Sequence, residues 1–230
     1  MSYTQKYENI MREIVLDTET TGLDPRSGHR IIEIGAVEIV DKIITGKQFH
    51  TYVNPKRNVP QESYRIHGIS ANFLQNKPVF ENIAAEFVKF IGNSTLVIHN
   101  AQFDIKFLNH EFTLIGYPSL PLSNAIDTLK IARQKFPGHK VNLDALCKRY
   151  KVDLSSRDFH GALKDAELLA KVYLNLVYSD EQFSFQISPS SFPSIKIENE
   201  HTTKYKVVYP TELEKEQHIE FLRKIHCLKI

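Results

Sequence analysis

The segment EIVLDTETTG, residues 13–22, opens the regular pattern of this 230-residue chain. An apolar run from Ile14 to Leu16 ends at Asp17, and this pattern predicts a buried strand. Because Asp17 and Glu19 are two residues apart on that strand, their carboxylates project from the same face. Like charges held there repel each other, and a divalent cation that prefers oxygen ligands, Mg²⁺ or Mn²⁺, relieves the repulsion. Taken alone, such a pair can also be a solvated strand edge.

The residues after this segment predict a meander and then alternating strands and helices. Residues 30–40 (RIIEIGAVEIV) and 42–53 are β-rich and predict a three-stranded meander with the first strand. The later patterns predict a helix over 80–91, a buried strand over 95–99, a helix over 101–115, a strand ending at 125–127, a helix capped by Asn142 and a long amphipathic helix over 161–178. This order of elements indicates a mixed α/β domain.

Three more residues with catalytic chemistry lie at the starts of predicted helices. Asp104 follows the buried strand TLVIH and the turn after it. His160 immediately precedes the long helix, and Asp165 falls five residues later, in its first turns. Considered one at a time, Asp104 is an ordinary acid at a helix N-terminus, and the pair His160 and Asp165 is an ordinary capped helix end.

Together, the motifs DTETTG (17–22), HNAQFD (99–104) and HGALKDA (160–166) resemble the three motifs of the DEDDh exonuclease family. They occur in the family's order, and no catalytic position is substituted. The resemblance covers residues 13–178 and implies an α/β, ribonuclease-H-like exonuclease fold. That fold has a central mixed five-stranded sheet flanked by helices, and a C-terminal docking tail is expected to follow it.

The same resemblance implies a 3′-to-5′ exonuclease with two divalent metal ions, Mg²⁺ or Mn²⁺. Phosphodiester hydrolysis needs an activated water, a positioned phosphorus and a stabilised leaving oxygen, and two metal ions can serve all three needs. By resemblance, Asp17 bridges both ions, Glu19 and Asp165 complete the ligands of the first, and Asp104 helps to hold the second. His160 is expected to act as the general base, because histidine commonly transfers protons in enzymes at neutral pH.

Substrate-binding residues are also expected near these motifs. Residues 58–69 resemble the family's loop that closes over the 3′-terminal nucleotide, and each candidate could instead have a turn or packing role. The candidates are Thr18 and Thr20 beside Glu19, His67 in that loop, and Asn100 and Phe103 near the second motif. Nothing in the sequence resembles machinery that reads a DNA groove, so we expect sequence-tolerant binding of a single-stranded or frayed 3′ DNA end.

Composition limits the other functions that are open to the chain. Its 29 basic and 27 acidic residues give a net charge of +2, which excludes the strongly basic surface of a tight duplex binder. Two cysteines are too few for a disulfide framework or a zinc cluster. No apolar run reaches the ~18 residues of a membrane span. The residues from Met1 to Arg12 lack the apolar core of a secretory signal, so a cytoplasmic location is expected.

The C-terminal region predicts a linker and a docking segment. We divide the chain into an exonuclease domain (1–180), a flexible linker (181–203) that contains SPSSFPS, and a partner-docking segment (204–230). The docking segment has a possible strand, YKVVY, and a helix that a capping box opens at Thr211. The apolar residues of this helix share one face: Phe221, Leu222, Ile225 and Leu228. It resembles the segment by which proofreading subunits bind the polymerase (alpha) subunit of a bacterial replicase, whereas a helix packed on its own domain is the alternative.

The linker contains a possible clamp-binding peptide, and the motifs leave other functions open. Gln182 to Phe185 occupies the place where such subunits carry a short peptide for the sliding clamp, although a linker without function is equally compatible with these residues. The catalytic motifs alone do not separate a DNA proofreader from an exonuclease of RNA or oligonucleotides. A catalytically silent adaptor is the alternative outside the enzymes, and the five retained catalytic positions argue against it.

Overall fold

The described part of the computed structural model comprises residues 11–155 and 159–183, with Thr211 and Leu213 isolated beyond them. Its five strands form one mixed sheet in the order β3-β2-β1-β4-β5. The strands are β1 (Arg12–Thr20), β2 (Ile31–Val40), β3 (Ile43–Tyr52), β4 (Thr95–Ile98) and β5 (Ala125–Asp127). The first three strands are antiparallel neighbours, as the predicted meander requires, whereas β4 and β5 run parallel to β1.

Helices cover both faces of this sheet. They are α1 (Gln61–His67), α2 (Ala71–Leu74), α3 (Phe80–Ile91), α4 (Ala101–Leu114), α5 (Thr128–Lys135), α6 (Leu143–Arg149) and α7 (Ala162–Phe183). Short 3₁₀ helices span Pro25–Ser27 and Leu122–Asn124. The prediction of a mixed five-stranded sheet flanked by helices is confirmed.

The alternation of side chains along β1 separates two hydrophobic cores. Ile14 and Leu16 pack into the core that also contains α3 and α4. Val15 points the other way, into the core formed with Leu169 and Tyr173 of α7. Because successive strand residues alternate between faces, Asp17 and Glu19 lie on the α7 side at the end of β1.

Helix α7 lies unusually close to β2 at its N-terminus. A Cβ atom added to Gly35 would overlap the backbone of Ala162 and Leu163. Gly35 is also the register partner of Asp17 on the neighbouring strand. The absence of a side chain at Gly35 therefore lets the first turn of α7 lie directly beside the end of β1.

Two regions differ from, or lie beyond, what the sequence predicted. Residues 58–69 were interpreted as a loop, but α1 occupies Gln61–His67; Pro60 is its N-cap, and Gly68 ends it at φ 70°. Helix α7 continues to Phe183, three residues past the boundary expected at residue 180. The rest of the linker and docking segment lies outside the described residues, apart from Thr211 and Leu213. Within the described ranges, no helix has both the length and the apolar character needed to cross a bilayer.

Candidate active site

The first pair of acids lies where β1 ends. Asp17 pairs in register with Gly35, and Glu19 pairs with Glu33. Both acids therefore lie beside the part of β2 against which the first turn of α7 packs. Asp17 and Glu19 are partly exposed. The alternating residues Thr18 and Thr20 are buried. The end of the central strand therefore presents two partly exposed carboxylates on one face of the sheet.

Asp104 reaches the first motif from α4. Its Oδ1 accepts hydrogen bonds from the Thr18 amide at 3.0 Å and from the Thr18 hydroxyl at 2.7 Å. Asn100, the residue before α4, has a left-handed backbone conformation at φ 74°. It turns the chain from β4 into α4. Thr18 thus joins the first motif to the second, although the two residues are 86 positions apart in sequence.

The third motif brings a histidine and a buried acid to the same place. His160 Nδ1 lies 3.2 Å from Asp165 Oδ2, and the His160 side chain is 49% exposed whereas that of Asp165 is 6% exposed. The Asp165 amide donates to the Gly161 carbonyl at 2.8 Å, within the first turn of α7. The His160 amide donates to the Ile66 carbonyl at 3.2 Å, so the third motif also contacts α1.

These residues form a group that fits a divalent cation. Ligand atoms of Glu19, His160 and Asp165 all lie within 4.8 Å of one another. Asp17 is close enough to Glu19, Asp104 and Asp165 for their charges to raise its pKa. Oxygen-rich sites of this kind suit Mg²⁺ or Mn²⁺, because hard cations prefer carboxylate ligands. The structure therefore brings together the four acids and the histidine that the sequence singled out.

Burial and mutual repulsion disfavour the ionised acids when no cation is bound. Burial raises the pKa of Asp17 well above its usual value, and the carboxylates of Asp104, Glu19 and Asp165 add to the effect. Burial also raises the pKa of Asp104 to about 7, although the hydrogen bonds from Thr18 oppose the shift. A divalent ion would reverse both effects because it stabilises the charged form of each carboxylate.

In metal-free protein, we expect the free energy of unfolding to fall as the pH rises from about 5 to about 7.5. Folded Asp104 keeps its proton up to about pH 7, whereas an unfolded aspartate loses it near pH ~4. Between these values the folded state binds more protons, so raising the pH favours unfolding. The expected loss is on the order of 2 kcal/mol, measured by urea denaturation in EDTA.

Two controls distinguish this effect from a general pH response. Asp104→Asn keeps an acceptor for Thr18 but cannot ionise, so its stability should depend less steeply on pH in EDTA. Saturating Mg²⁺ should also reduce the slope for the native chain, because the cation binds the folded state more tightly as the acids ionise. Stability that increased with pH in EDTA would contradict the assignment.

The residues predicted to bind substrate occupy varied environments. The Thr18 hydroxyl is used on Asp104, and the Thr20 hydroxyl donates to the Gly22 carbonyl at 2.6 Å. His67 is 5% exposed, and its Nδ1 accepts from the Ile69 amide at 3.0 Å. Burial lowers the pKa of His67, which keeps the ring neutral at neutral pH. Of these three side chains, none presents a polar group openly to solvent.

The other two candidates lie at the start of α4. Asn100 is exposed, and its backbone N–H donates to Asp127 Oδ1 at 3.2 Å. Phe103 is partly buried, with its ring centroid 5.0 Å from that of Phe107. Phe103 directly precedes Asp104, and the exposed Asn100, four positions before Asp104, is accessible for a substrate contact.

Sequence reasoning missed Glu33 and two exposed apolar residues near the site. Glu33 is 3% exposed on β2, and an acid inside the apolar run RIIEIGAVEIV was an available signal. Leu23 directly follows the first motif and is 83% exposed. Ile66, whose carbonyl accepts from His160, is 55% exposed. Single exposed apolar residues of this kind give no sequence pattern.

A mixed sheet with this cluster of four acids and a histidine defines the DEDDh class of metal-dependent exonucleases. The family model described as Exonuclease, of the RNase T type, matches residues 14–173. The chain belongs to this exonuclease family.

Named relatives and solved structures agree with this assignment. The chain is 54% identical over 223 residues to the DNA polymerase III subunit epsilon of Rickettsia felis, covering 94% of this chain and 97% of that protein. A structure of exonuclease X with 5′ overhanging duplex DNA has a TM-score of 0.58 at 27% identity, covering 74% of this chain and 93% of that one. The nuclease domain of 3′hExo, described as a DEDDh family member bound to rAMP, shares the fold with a TM-score of 0.64 at 18% identity, covering 75% and 94%.

Proposed function

We propose that this chain is a 3′-to-5′ exonuclease that hydrolyses terminal phosphodiester bonds of DNA and proofreads as the epsilon subunit of a bacterial DNA polymerase III. The products are nucleoside 5′-monophosphates. The observation that carries this proposal is the convergence of Glu19, His160 and Asp165 within 4.8 Å, beside Asp17. The Rickettsia relative, named DNA polymerase III subunit epsilon, supports the role in replication, because its similarity spans nearly the whole chain. A replicase subunit of this kind works in the bacterial cytoplasm.

Two divalent metal ions, Mg²⁺ or Mn²⁺, are the proposed cofactors. Asp17 would be shared by both ions, Glu19 and Asp165 would complete one site, and Asp104 would contribute to the other. When bound, the ions supply an activated water and neutralise the charge that develops on the leaving 3′ oxygen. The raised pKa values of Asp17 and Asp104 support this assignment, because groups whose ionised form is disfavoured gain most from a cation.

His160 is the proposed general base. Its Nδ1 lies beside the Asp165 carboxylate, which favours the tautomer with a proton on Nδ1 and leaves Nε2 as the acceptor. The half-exposed ring can then take a proton from the attacking water and release it to solvent. Asp165 orients this ring and also contributes negative charge to the cation site.

Contacts with the terminal nucleotide are proposed for Thr18, Thr20, His67, Asn100 and Phe103. Asn100 is exposed and can donate or accept directly, and Phe103 can support a base. Because the hydroxyls of Thr18 and Thr20 bond within the protein, their contribution would come from positioning Asp104 and the backbone. His67 is buried in this structure, so its contact would require α1 to shift.

The function is tested with end-labelled single-stranded DNA, a mispaired primer-template and RNA of matched sequence, each with Mg²⁺, Mn²⁺ or EDTA. We expect metal-dependent release of mononucleotides from the 3′ end, faster from frayed or mispaired DNA than from RNA. A strong preference for RNA would instead indicate an RNA or oligonucleotide exonuclease. Failure to cleave every substrate would favour the catalytically silent adaptor.

Partner binding is assigned to the segment after the exonuclease domain. Residues 204–230 are proposed to bind the polymerase alpha subunit through the predicted apolar helix face, and Gln182 to Phe185 to bind the sliding clamp. The similarity to the Rickettsia relative extends over 94% of this chain and supports a shared tail. Short amphipathic segments commonly bind a partner through a single apolar face.

Replacing Phe221 and Leu222 together by aspartate is expected to abolish retention by the immobilised alpha subunit. Two charges on the predicted apolar face cannot be buried without a large desolvation cost. Cleavage of single-stranded DNA by the same variant should match the native rate, because the exonuclease motifs are untouched. If the variant still bound the alpha subunit with native affinity, the docking assignment would be wrong.

A further inference from the structure

We propose that Glu33 is a positioning residue, which holds the start of α7 and thereby places both His160 and Asp165. Glu33 Oε2 accepts a hydrogen bond from the Ala162 amide at 3.1 Å, and Glu33 Oε1 lies 2.7 Å from His50 Nε2. Ala162 is the first residue of α7, two positions after His160 and three before Asp165. This inference rests on the proposed function, since positioning matters for the proposed general base and metal ligand.

The hydrogen bond to Ala162 supplies a partner that the helix itself cannot provide. The first amides of an α-helix have no acceptor within the helix, so an acceptor from another element can satisfy one of them. A carboxylate from β2 therefore replaces a local cap at this end of α7. The residue before the helix, Gly161, has no side chain that could cap it.

Gly35 makes the same contact possible on the same face of β2. Its missing side chain lets the backbone of Ala162 and Leu163 approach β2 closely. Glu33 is two residues earlier on β2, so its carboxylate reaches the same helix end. Glu33 also pairs in register with Glu19. One strand thus fixes the third motif relative to the acids of the first.

The hydrogen bonds of Glu33 indicate a positioning role, and its charge also acts on the nearby Asp17. Its carboxylate is 3% exposed, and both oxygens already have nitrogen partners. Burial raises the pKa of the nearby Tyr52, and the charge and hydrogen bond of Glu33 add to that effect. Nitrogen donors on both oxygens, with Tyr52 beside them, lock the side chain in place, which suits a residue that sets the position of another element.

The test compares Glu33→Gln, Glu33→Asp and Glu33→Ala in the full chain. Glutamine keeps the length and an acceptor for Ala162, and its amide can donate to His50 in the other histidine tautomer. Aspartate keeps the charge but is one methylene too short. With single-stranded DNA and saturating Mg²⁺, we expect aspartate and alanine to lower kcat about tenfold or more with little change in KM, because small misplacements of catalytic groups are costly. Glutamine should stay within a few-fold of native.

A second measurement does not depend on cleavage. Amide hydrogen exchange of metal-free protein should become faster at Ala162 and Leu163 in the aspartate and alanine variants, but not in the glutamine variant. Glu38→Ala is the matched control, because Glu38 is another buried carboxylate on β2 that pairs with Arg12. It should destabilise the chain without a local change at Ala162 and without a specific loss of kcat.

Either of two results would overturn the proposal. Native kcat and native exchange in Glu33→Asp would show that the reach of the side chain is irrelevant, and a larger loss in glutamine than in aspartate would show that charge matters instead. The comparison of Glu33→Gln, which keeps the side-chain length, with Glu33→Asp, which shortens it, remains valid even if Glu33→Ala fails to fold. The hydrogen-exchange data test the positioning role of Glu33 separately from the proposed exonuclease function, because they report on α7 even if no substrate is cleaved.

Discussion

Replacing Asp17 by alanine is expected to lower kcat for release of the 3′-terminal nucleotide at least about a thousandfold. Metal ions contribute several kcal/mol to such reactions. Each ~1.4 kcal/mol of lost transition-state stabilisation lowers the rate about tenfold. Asp17 is surrounded by Asp104, Glu19 and Asp165, whose charges already raise its pKa. In the proposed scheme Asp17 would be shared by both ions, so its loss would affect both metal sites. The measurement is single-turnover cleavage of end-labelled single-stranded DNA with Mg²⁺.

The fold should survive the same substitution. The side chain of Asp17 is partly exposed and belongs to neither hydrophobic core that flanks β1. In EDTA, removal of one repelling carboxylate should leave the free energy of unfolding unchanged or higher. Mn²⁺ binding, measured by calorimetry, should weaken together with cleavage.

Asp41→Ala is the matched control for this prediction. Asp41 is exposed in the turn between β2 and β3, at the end of the sheet opposite the active site, and accepts from the Met11 amide. The control should retain native cleavage and native Mn²⁺ binding. Near-normal turnover in Asp17→Ala would refute the assignment of Asp17 as a shared metal ligand.

Replacing Gly35 by alanine is expected to have the second largest effect, on both stability and cleavage. The new Cβ would overlap the backbone of Ala162 and Leu163, and backbone atoms cannot move aside as the tip of a side chain can. Overpacking of this kind typically costs ~1–3 kcal/mol, and more where the obstacle is rigid. Because α7 carries Asp165 and follows His160, its displacement should also lower kcat about a hundredfold, as for other misplaced catalytic groups.

Gly46→Ala is the control that separates the overlap of a new Cβ with α7 from the general cost of replacing a glycine by alanine. Gly46 lies on β3 at φ 82°, with nothing within 4 Å of an added Cβ. Alanine there should cost about 1 kcal/mol of left-handed strain and leave kcat unchanged. Urea denaturation and cleavage assays on both variants make the comparison. Equal effects from the two substitutions would mean that the close approach of α7 to β2 is unimportant.

Much of the candidate site was accessible from sequence because its residues lie at the ends of regular elements. Asp17 and Glu19 end an apolar strand, and Asp104 opens a helix after a buried strand. Such positions can be read from local hydrophobic patterns. The motifs then suggested that these elements meet, and the structure brings their acids together.

Other features could not be predicted because the local pattern is weak or shared with other roles. Helix α1 has seven residues, too few for a clear helical period and short of the ~12 that an isolated helix needs. The exposed residues Leu23 and Ile66 resemble any surface aliphatic side chain until their distance from the catalytic motifs is known.

The sequence by itself indicated the class of fold through the order of its predicted strands and helices. The resemblance of its three motifs to a known family indicated that family and five candidate catalytic residues. Only the tertiary structure decided that the Thr18 hydroxyl binds Asp104, 86 positions away, and that Glu33 holds the amide of Ala162, 129 positions away. The physical reason is that such contacts depend on how strands and helices pack. At Gly35 that packing is set by the space left where a side chain is missing.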